Sequence, residues 1–206
     1  MRNRVIGLFC AAFATLSFAF NAEATPAYTI LSAGTAIYGI NANGAVAGTQ
    51  NESGFLRTPD GTITTFDAPG AKHGTLARAI NINDAIAGTY QDANGASHGF
   101  VRNPDGTITA FDAPGASLNY SEGTFPVDIN GSGTVTGFYY DDQNRMHGFV
   151  RTTDGTITAI DIENAALTEA QSINSKGAIA GGYADGGGYH GFCALRAERS
   201  RHLIYR

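Results

Sequence analysis

Three histidines recur at one place in the sequence. His98, His147 and His190 each stand directly before a Gly-Phe pair. Imidazole changes charge near neutral pH and is a common metal ligand. Three imidazoles at equivalent positions of a repeat could therefore meet at one metal ion. The loops ahead of two of them carry oxygen ligands at alternate positions: Asp92-Ala93-Asn94-Gly95 before His98, and Asp141-Asp142-Gln143-Asn144 before His147. A calcium loop would add a bidentate glutamate downstream, and none is suitably placed. Turn chemistry alone accounts for Asp, Asn and Gly there. The expectation is no metal, with His98, His147, His190, Asp92, Asn94 and Asp141 as the residues that would hold one. No cofactor is expected either. Gly186 to Gly191 matches G-x-G-x-x-G by letters, but no helix follows it, as a dinucleotide fingerprint requires. No nucleophile elbow and no HExxH run is present, and no catalytic residue is assigned.

A structural role for the histidines follows from the hairpin that carries them. His98 to Ala116 reads HGFVRNPDGTITAFDAPGA. Proline presets φ for the second turn position, aspartate follows comfortably, and Gly106 takes the left-handed position that closes a three-residue loop. Counting outward from that turn, Arg102 faces Ile108, Phe100 faces Ala110, Gly99 faces Phe111 and His98 faces Asp112. A ring lying over a bare glycine pins strand register. The same count pairs His147 with Asp161 and, in the first copy, Ser53 with Asp67. A buried carboxylate facing each imidazole would satisfy both polar groups. The expected roles are thus cross-strand pairs: His98 with Asp112, His147 with Asp161, and Ser53 with Asp67.

Two more strands lie between the hairpins. Ile40-Asn41-Ala42-Asn43-Gly44-Ala45-Val46 returns at Ile80, Ile129 and Ile173, each time as a strand, a turn of Asn, Asp or Gly, and a strand of small or β-branched residues. Gly54, Gly99, Gly148 and Gly191 mark successive units 45, 49 and 43 residues apart. Self-similarity at this period, with four short strands per unit and no helical periodicity, predicts an all-β chain. Its four-stranded antiparallel units would form a small β-propeller or an open propeller-like array. Phe55, Phe100, Phe149, Phe66 and Phe111, with the Ile and Val of the other strands, are the expected packing between units. Tyr28 to Leu31 could serve as the returning strand of a hairpin without its partner, and His190 to Cys193 begins a hairpin without its usual return. Strands from the two ends could then complete one unit. Tyr90, Tyr139, Tyr140, Tyr183 and Tyr189 flank the loops and could either stack between units or face a ligand.

The first residues predict export. Arg2 and Arg4 precede an apolar run from Val5 to Phe20, and Ala22-Glu23-Ala24 fits a cleavage site. Residues 1–24 read as a signal peptide and 25–206 as one four-unit β-repeat domain. Its tail is atypical from about residue 194 and carries Arg196, Arg199, Arg201 and Arg206. The chain's 13 basic and 18 acidic residues become 11 and 17 once Arg2, Arg4 and Glu23 are set aside. A net charge of −6 offers no field for phosphate backbones, so nucleic acid is excluded as a partner. Cys193 is the one cysteine left beyond Cys10, so no internal disulfide is available and packing must supply the stability.

The runs HGFVR and PDGTITAFDAPGA, followed by INxxGxIxG, resemble the HAF-type extracellular repeats of exported bacterial proteins. The resemblance spans nearly all of residues 25–206 in about four units. It implies a secreted or periplasmic repeat protein of propeller-like form and carries over no catalytic residue. The expected function is a non-catalytic binding or interaction module at the cell exterior. Its partner would be a protein or glycan, it has no membrane span beyond the leader, and self-association is open to it. The alternatives are a hydrolase or lyase on extracellular polymers, with a site at the mouth of a propeller channel, and a structural component of a surface or matrix assembly. An enzyme would be expected to break the repeat with one unit of unique polar residues; the one unique insert, Ser117 to Gly123, lacks a clear acid–base set.

Overall fold

The structure, a computed structural model, describes residues 31–32, 34–195 and 204–205. The expected signal peptide, the expected strand at Tyr28–Leu31 apart from Leu31 itself, and the tail arginines lie outside the described residues. Every regular element among the described residues is a strand, and no helix is long and apolar enough to cross a membrane.

The strands come in four sets of four, all within the unit Ser32–Arg206. The first blade is β1 (Thr35–Ile40), β2 (Val46–Gln50), β3 (Ser53–Arg57) and β4 (Ile63–Phe66). The second is β5 (Thr75–Ile80), β6 (Ile86–Gln91), β7 (Ser97–Arg102) and β8 (Ile108–Phe111). The third is β9 (Thr124–Ile129), β10 (Val135–Tyr140), β11 (Met146–Arg151) and β12 (Ile157–Ile160). The fourth is β13 (Leu167–Ile173), β14 (Ile179–Asp185), β15 (Gly188–Leu195) and β16 (Ile204–Tyr205). Within each blade, neighbours in sequence pair antiparallel. The third and fourth blades touch through one parallel bridge, Met146 to Leu167. The second and third do so between Ser97 and Gly123.

Local chemistry fixes these hairpins. In the outer turn of the second blade, the Asn103 and Gly106 amides donate to the Thr107 and Asn103 carbonyls at 2.8 and 2.9 Å. Asp105 Oδ1 accepts from the Thr107 amide at 2.9 Å, and Gly106 sits at φ 90°. The strand register that follows is Arg102 to Ile108, Phe100 to Ala110 and Gly99 to Phe111. The inner turns use asparagine as their cap. Asn81 Oδ1 accepts from the Asn83 and Ala85 amides at 2.9 and 3.0 Å, and Asn41, Asn130 and Asn174 do the same in their own blades.

Each inner strand also bulges by one residue, at Tyr38, Arg78, Val127 and Gln171. A bulge sharpens the local twist. It also brings the inner strand's carbonyl over a glycine of the next strand. A Cβ on Gly88 would collide with the Leu76 carbonyl oxygen and lie 2.7 Å from the Phe100 ring.

The blades pack face to face through four of the five expected rings, Phe66, Phe100, Phe111 and Phe149. Phe66 of the first blade meets Phe100 of the second edge-on, with centroids 6.0 Å apart. Phe111 meets Phe149 in the same way at 6.1 Å. Arg102 then lies over the Phe66 ring at 5.1 Å and Arg151 over Phe111 at 4.7 Å, an attraction of the cation to the ring face. At the last junction Ile160 replaces the outer phenylalanine and Ala194 the arginine; both are fully buried. The ring and its cation are replaced together, and aliphatic packing fills the space.

Polar groups fasten the same junctions. The buried hydroxyls of Thr75, Thr124 and Thr168 accept from the amides of Ala68, Ala113 and Ile162 in the preceding blade, at 3.1, 2.9 and 3.2 Å. An asparagine ladder donates in the same direction, from each blade to the next. Asn41 Nδ2 donates to the Asn81 carbonyl, Asn81 Nδ2 to that of Asn130, and Asn130 Nδ2 to that of Asn174, at 2.9, 2.9 and 3.1 Å.

Candidate functional site

The histidines open β7 and β11 and lie within β15, at the end of each blade where the strand-two-to-three loops and the interblade loops meet. Cross-strand register sets each beside a tyrosine: Tyr90 opposite His98, Tyr139 opposite His147 and Tyr183 opposite His190. The rings stack at 5.0, 4.9 and 5.0 Å, within 26° of parallel. Tyr90 and Tyr139 are buried by this arrangement. Burial lifts both phenols above their ordinary pKa, and the carboxylates nearby push the same way: Asp112 and Asp92 for Tyr90, Asp161 and Asp141 for Tyr139. Tyr140 packs edge-on to Phe125 and Phe138. Tyr189 remains exposed.

Each imidazole is held by carboxylates of its own blade. His98 Nδ1 lies 2.9 Å from Asp112 Oδ1, and His147 Nδ1 lies 2.7 Å from Asp161 Oδ1. The opposite nitrogen has a second acid: Asp141 at 3.0 Å for His147, and Asp92 at 3.6 Å for His98. His190 Nε2 lies 3.2 Å from Asp185. In the first blade, Ser53 and Asp67 make no side-chain hydrogen bond to each other among the described contacts, and Asp67 is exposed. Thr49, cross-strand from Gly54 in that blade, sends its hydroxyl instead to the Thr75 carbonyl at 3.1 Å.

The oxygens proposed for calcium are occupied by the loops themselves. Asp92 Oδ1 accepts from the Asn94 and Ala96 amides at 2.8 and 3.0 Å. Asp141 Oδ1 accepts from those of Gln143 and Arg145, both at 2.9 Å. Burial works against charge on both carboxylates. The amides, together with His98 or His147, outweigh it and hold each below the usual aspartate range. Among the described residues no group of three His, Cys, Asp or Glu side chains is placed to share a metal ion. The three histidines therefore stand apart, one per blade, each beside its own acids.

His147 sits between two carboxylates with little solvent contact. Burial acts to lower its pKa, but the bonds to Asp141 and Asp161 outweigh burial and raise it above the ordinary imidazole value. A raised folded-state pKa means the pair adds stability fully below the unfolded value of about 6.5. That stability is lost as pH rises through the folded value. His147→Gln is expected to cost about 1.5 kcal/mol at pH 5.5 and clearly less at pH 9, read as the gap between wild-type and variant urea midpoints. A gap that widens with rising pH would contradict the assignment.

The insert Ser117 to Gly123 is braced on this same end. The buried Ser117 hydroxyl and Asn119 Nδ2 both donate to Glu122 Oε2, the latter at 3.0 Å. The Glu122 carbonyl accepts from the Ser97 amide at 2.7 Å, and the Ser117 amide donates to the Tyr140 carbonyl at 2.7 Å. Tyr120 lies against the backbone of Gly95. This bracing turns Leu118 and Tyr120 outward, 58% and 78% exposed. Tyr120 is the residue that the flanking-tyrosine pattern misses. It belongs to the insert, not to a repeat, and only the braced loop shows that it is presented to solvent.

The opposite end is different in kind. A cleft of about 310 Å³ between the second and third blades is lined by Asn83, Asn103, Ser132, Thr153 and Arg151, among others. Arg151 is buried with its Nε unpartnered against the Phe111 ring. Burial lowers the guanidinium pKa, and Asp154 opposes this. The lining holds hydrogen-bonding groups and one committed cation, with no carboxylate–imidazole pair.

Four-stranded antiparallel blades, packed in succession and fastened by repeated devices, define a β-propeller-like, all-β protein. Comparison with solved structures agrees with that class. The chain is similar to a catalytically inactive histidine-to-alanine variant of virginiamycin B lyase from Staphylococcus aureus solved with quinupristin. The TM-score is 0.51 at 19% identity, over 86% of this chain and 57% of that one. A streptogramin B lyase structure matches with a TM-score of 0.49 at 19% identity, over 79% of this chain and 56% of that one. The chain thus spans little more than half the length of these structures. No protein-family model and no curated protein matches it.

Proposed function

We propose that this is an exported, non-catalytic binding module that engages a glycan or a protein through the rim carrying Leu118, Tyr120 and Tyr189. One observation carries the reading. The side chains best suited to proton transfer, His98 and His147, have both ring nitrogens directed at carboxylates of their own blade. Such groups stabilise hairpins; His147 keeps no ring nitrogen for a substrate, and His98 Nε2 faces Asp92 at 3.6 Å. The exposed rim offers what recognition surfaces use instead: amphipathic aromatic rings held on a rigid loop, able to stack on a sugar face or a peptide side chain. Likeness to a lyase at 19% identity speaks to fold, and a fold hosts many activities. Export rests on the basic start, the apolar run and the Ala22-Glu23-Ala24 site.

The test is binding to a panel of cell-surface polysaccharides and cell-wall fragments from the producing cell, scored for wild type and for Tyr120→Ala. The variant is expected to weaken binding at least tenfold, on the scale of the about 1–3 kcal/mol that a nucleobase gains by stacking on one aromatic ring. Its stability should change by no more than about 0.5 kcal/mol, since the ring is exposed. Incubation with quinupristin, the compound in the similar structure, should yield no product. Turnover that depends on His98 or His147 would overturn the reading.

A further inference from the structure

The blade junctions share a set of complementary groups, and among the described residues the two outer faces of the array carry part of that set without partners. On the rear face of a blade, three small or aliphatic positions meet the next blade. They are Ala45, Ala47 and Leu56 in the first blade and Ala85, Ala87 and Val101 in the second, all buried, while the third blade places buried Thr134 and Thr136 at the first two of these positions. The corresponding residues of the fourth blade are Ala178, Ala180 and Cys193; Ala180 and Cys193 are exposed. On the front face, Ala77, Ile86 and Phe100 of the second blade receive the first blade. The front of the first blade presents Ile37, Ile40 and Ile63, exposed by 56%, 70% and 42%, around Phe55, the buried counterpart of Phe100. The counterparts of Ile40 in the third and fourth blades, Ile129 and Ile173, are exposed by only 4% and 7%.

The polar devices are left over in the same sense. Asn41, Asn81 and Asn130 each donate Nδ2 to the next blade. Among the described residues, Asn174 Nδ2 has no acceptor. Among the described residues, the carbonyl of Asn41 is the one in the ladder that receives no interblade donor; it accepts from the Gly44 amide. Thr75, Thr124 and Thr168 each accept an amide from the blade before. Their counterpart Thr35 is bonded within its own blade, to Gln50 Nε2 at 3.2 Å.

We infer that the rear face of the fourth blade docks on the front face of the first blade of a second copy of this chain, repeating the internal junction head to tail. The surface that fits is fixed by the molecule itself: its apolar positions match those of the first two internal junctions, and a donor at Asn174 meets an acceptor at Asn41. Such a contact is heterologous, with two different patches. Two copies supply eight blades, within the range of about four to eight seen in propellers.

The experiment is sedimentation equilibrium of the purified protein, alone and as paired variants. Ile40→Glu blocks the front face and Ala180→Glu the rear; both sites are exposed, so the blades should keep their strand circular dichroism. Ile63→Glu serves as a second front variant should Ile40→Glu fail to fold. Wild type is expected at twice the chain mass or above, and each variant alone at the monomer mass, with affinity reduced at least tenfold. An equimolar mixture of a front and a rear variant leaves one unblocked front–rear contact, so association should return. A monomeric wild type overturns the inference, as it would if a segment of the same chain covered the front face. So does a mixture that stays monomeric, or a rear variant that still dimerises, which would indicate a symmetric front-to-front contact. Glycan binding through Tyr120 is a separate readout and is expected to survive both blocking substitutions.

Discussion

Replacing Gly88 with alanine is expected to cost about 3 kcal/mol or more, at the upper end of what overpacking causes. The added methyl would collide with the Leu76 carbonyl and press on the Phe100 ring. Neither neighbour is a flexible chain end. The carbonyl is fixed by the bulge at Arg78, and the ring is wedged against Phe66 of the first blade. Relief requires either flattening the bulge or withdrawing Phe100, and both open the junction. The effect should appear as a lower urea midpoint at an unchanged slope. A cost below about 1 kcal/mol would show that the inner strand is not held at its glycine as described. Gly48, Gly137 and Gly181 meet the same pair of obstacles, an inner-strand carbonyl and a phenylalanine ring, and the same substitution should be damaging there.

Phe100→Ala is the second large effect, expected at about 3–5 kcal/mol. Phe100 is fully buried at the centre of the cluster that joins the first two blades. Removing it leaves a cavity among Ala77, Ile86 and Phe66 that the strands cannot close, because hydrogen-bonded neighbours flank them on both sides. Phe149→Ala at the next junction should behave alike, since its ring is equally buried and edge-packed on Phe111. Stability in repeat arrays is roughly a sum over units and their junctions. Unfolding of Phe100→Ala by urea should therefore show loss concentrated in the first two blades by hydrogen exchange. A cost under 1 kcal/mol, or uniform loss of protection, would count against the junction as the unit of stability.

The hairpins were legible in the residues because their causes are local. A Pro-Asp-Gly turn fixes the loop, the loop fixes the register, and the register puts Phe111 over Gly99 and a carboxylate beside His98 and His147. The second carboxylate was not legible as a partner. Asp92 and Asp141 precede their histidines by six residues across a loop, and in sequence they look like loop acids. Only the folded loop shows one oxygen capping the turn while the other points at the imidazole. The tyrosines that stack on the histidines were seen as flanking the loops, but whether they stacked or faced solvent depended on side-chain direction, which spacing does not give. The asparagine ladder is hidden in the sequence for another reason. Asn41 and Asn81 look like turn residues, and they are, yet their Nδ2 groups act between blades some forty residues apart. The pairing of Ser53 with Asp67 followed from register alone; a short hydroxyl does not reach the carboxylate that an imidazole reaches.

The account therefore treats the chemistry-bearing side chains as fasteners of a scaffold, with recognition left to the braced insert. The histidine between two acids, His147, is where that claim is most exposed. Imidazole nitrogen and proton resonances of His147, followed from pH 5 to 9, test it directly. The prediction is a doubly protonated ring that donates to Asp141 and Asp161 and holds its proton to a pH above the ordinary range of about 6.5. A ring that titrates at or below that value with one nitrogen free would contradict it, and would return His147 to the set of groups available for catalysis.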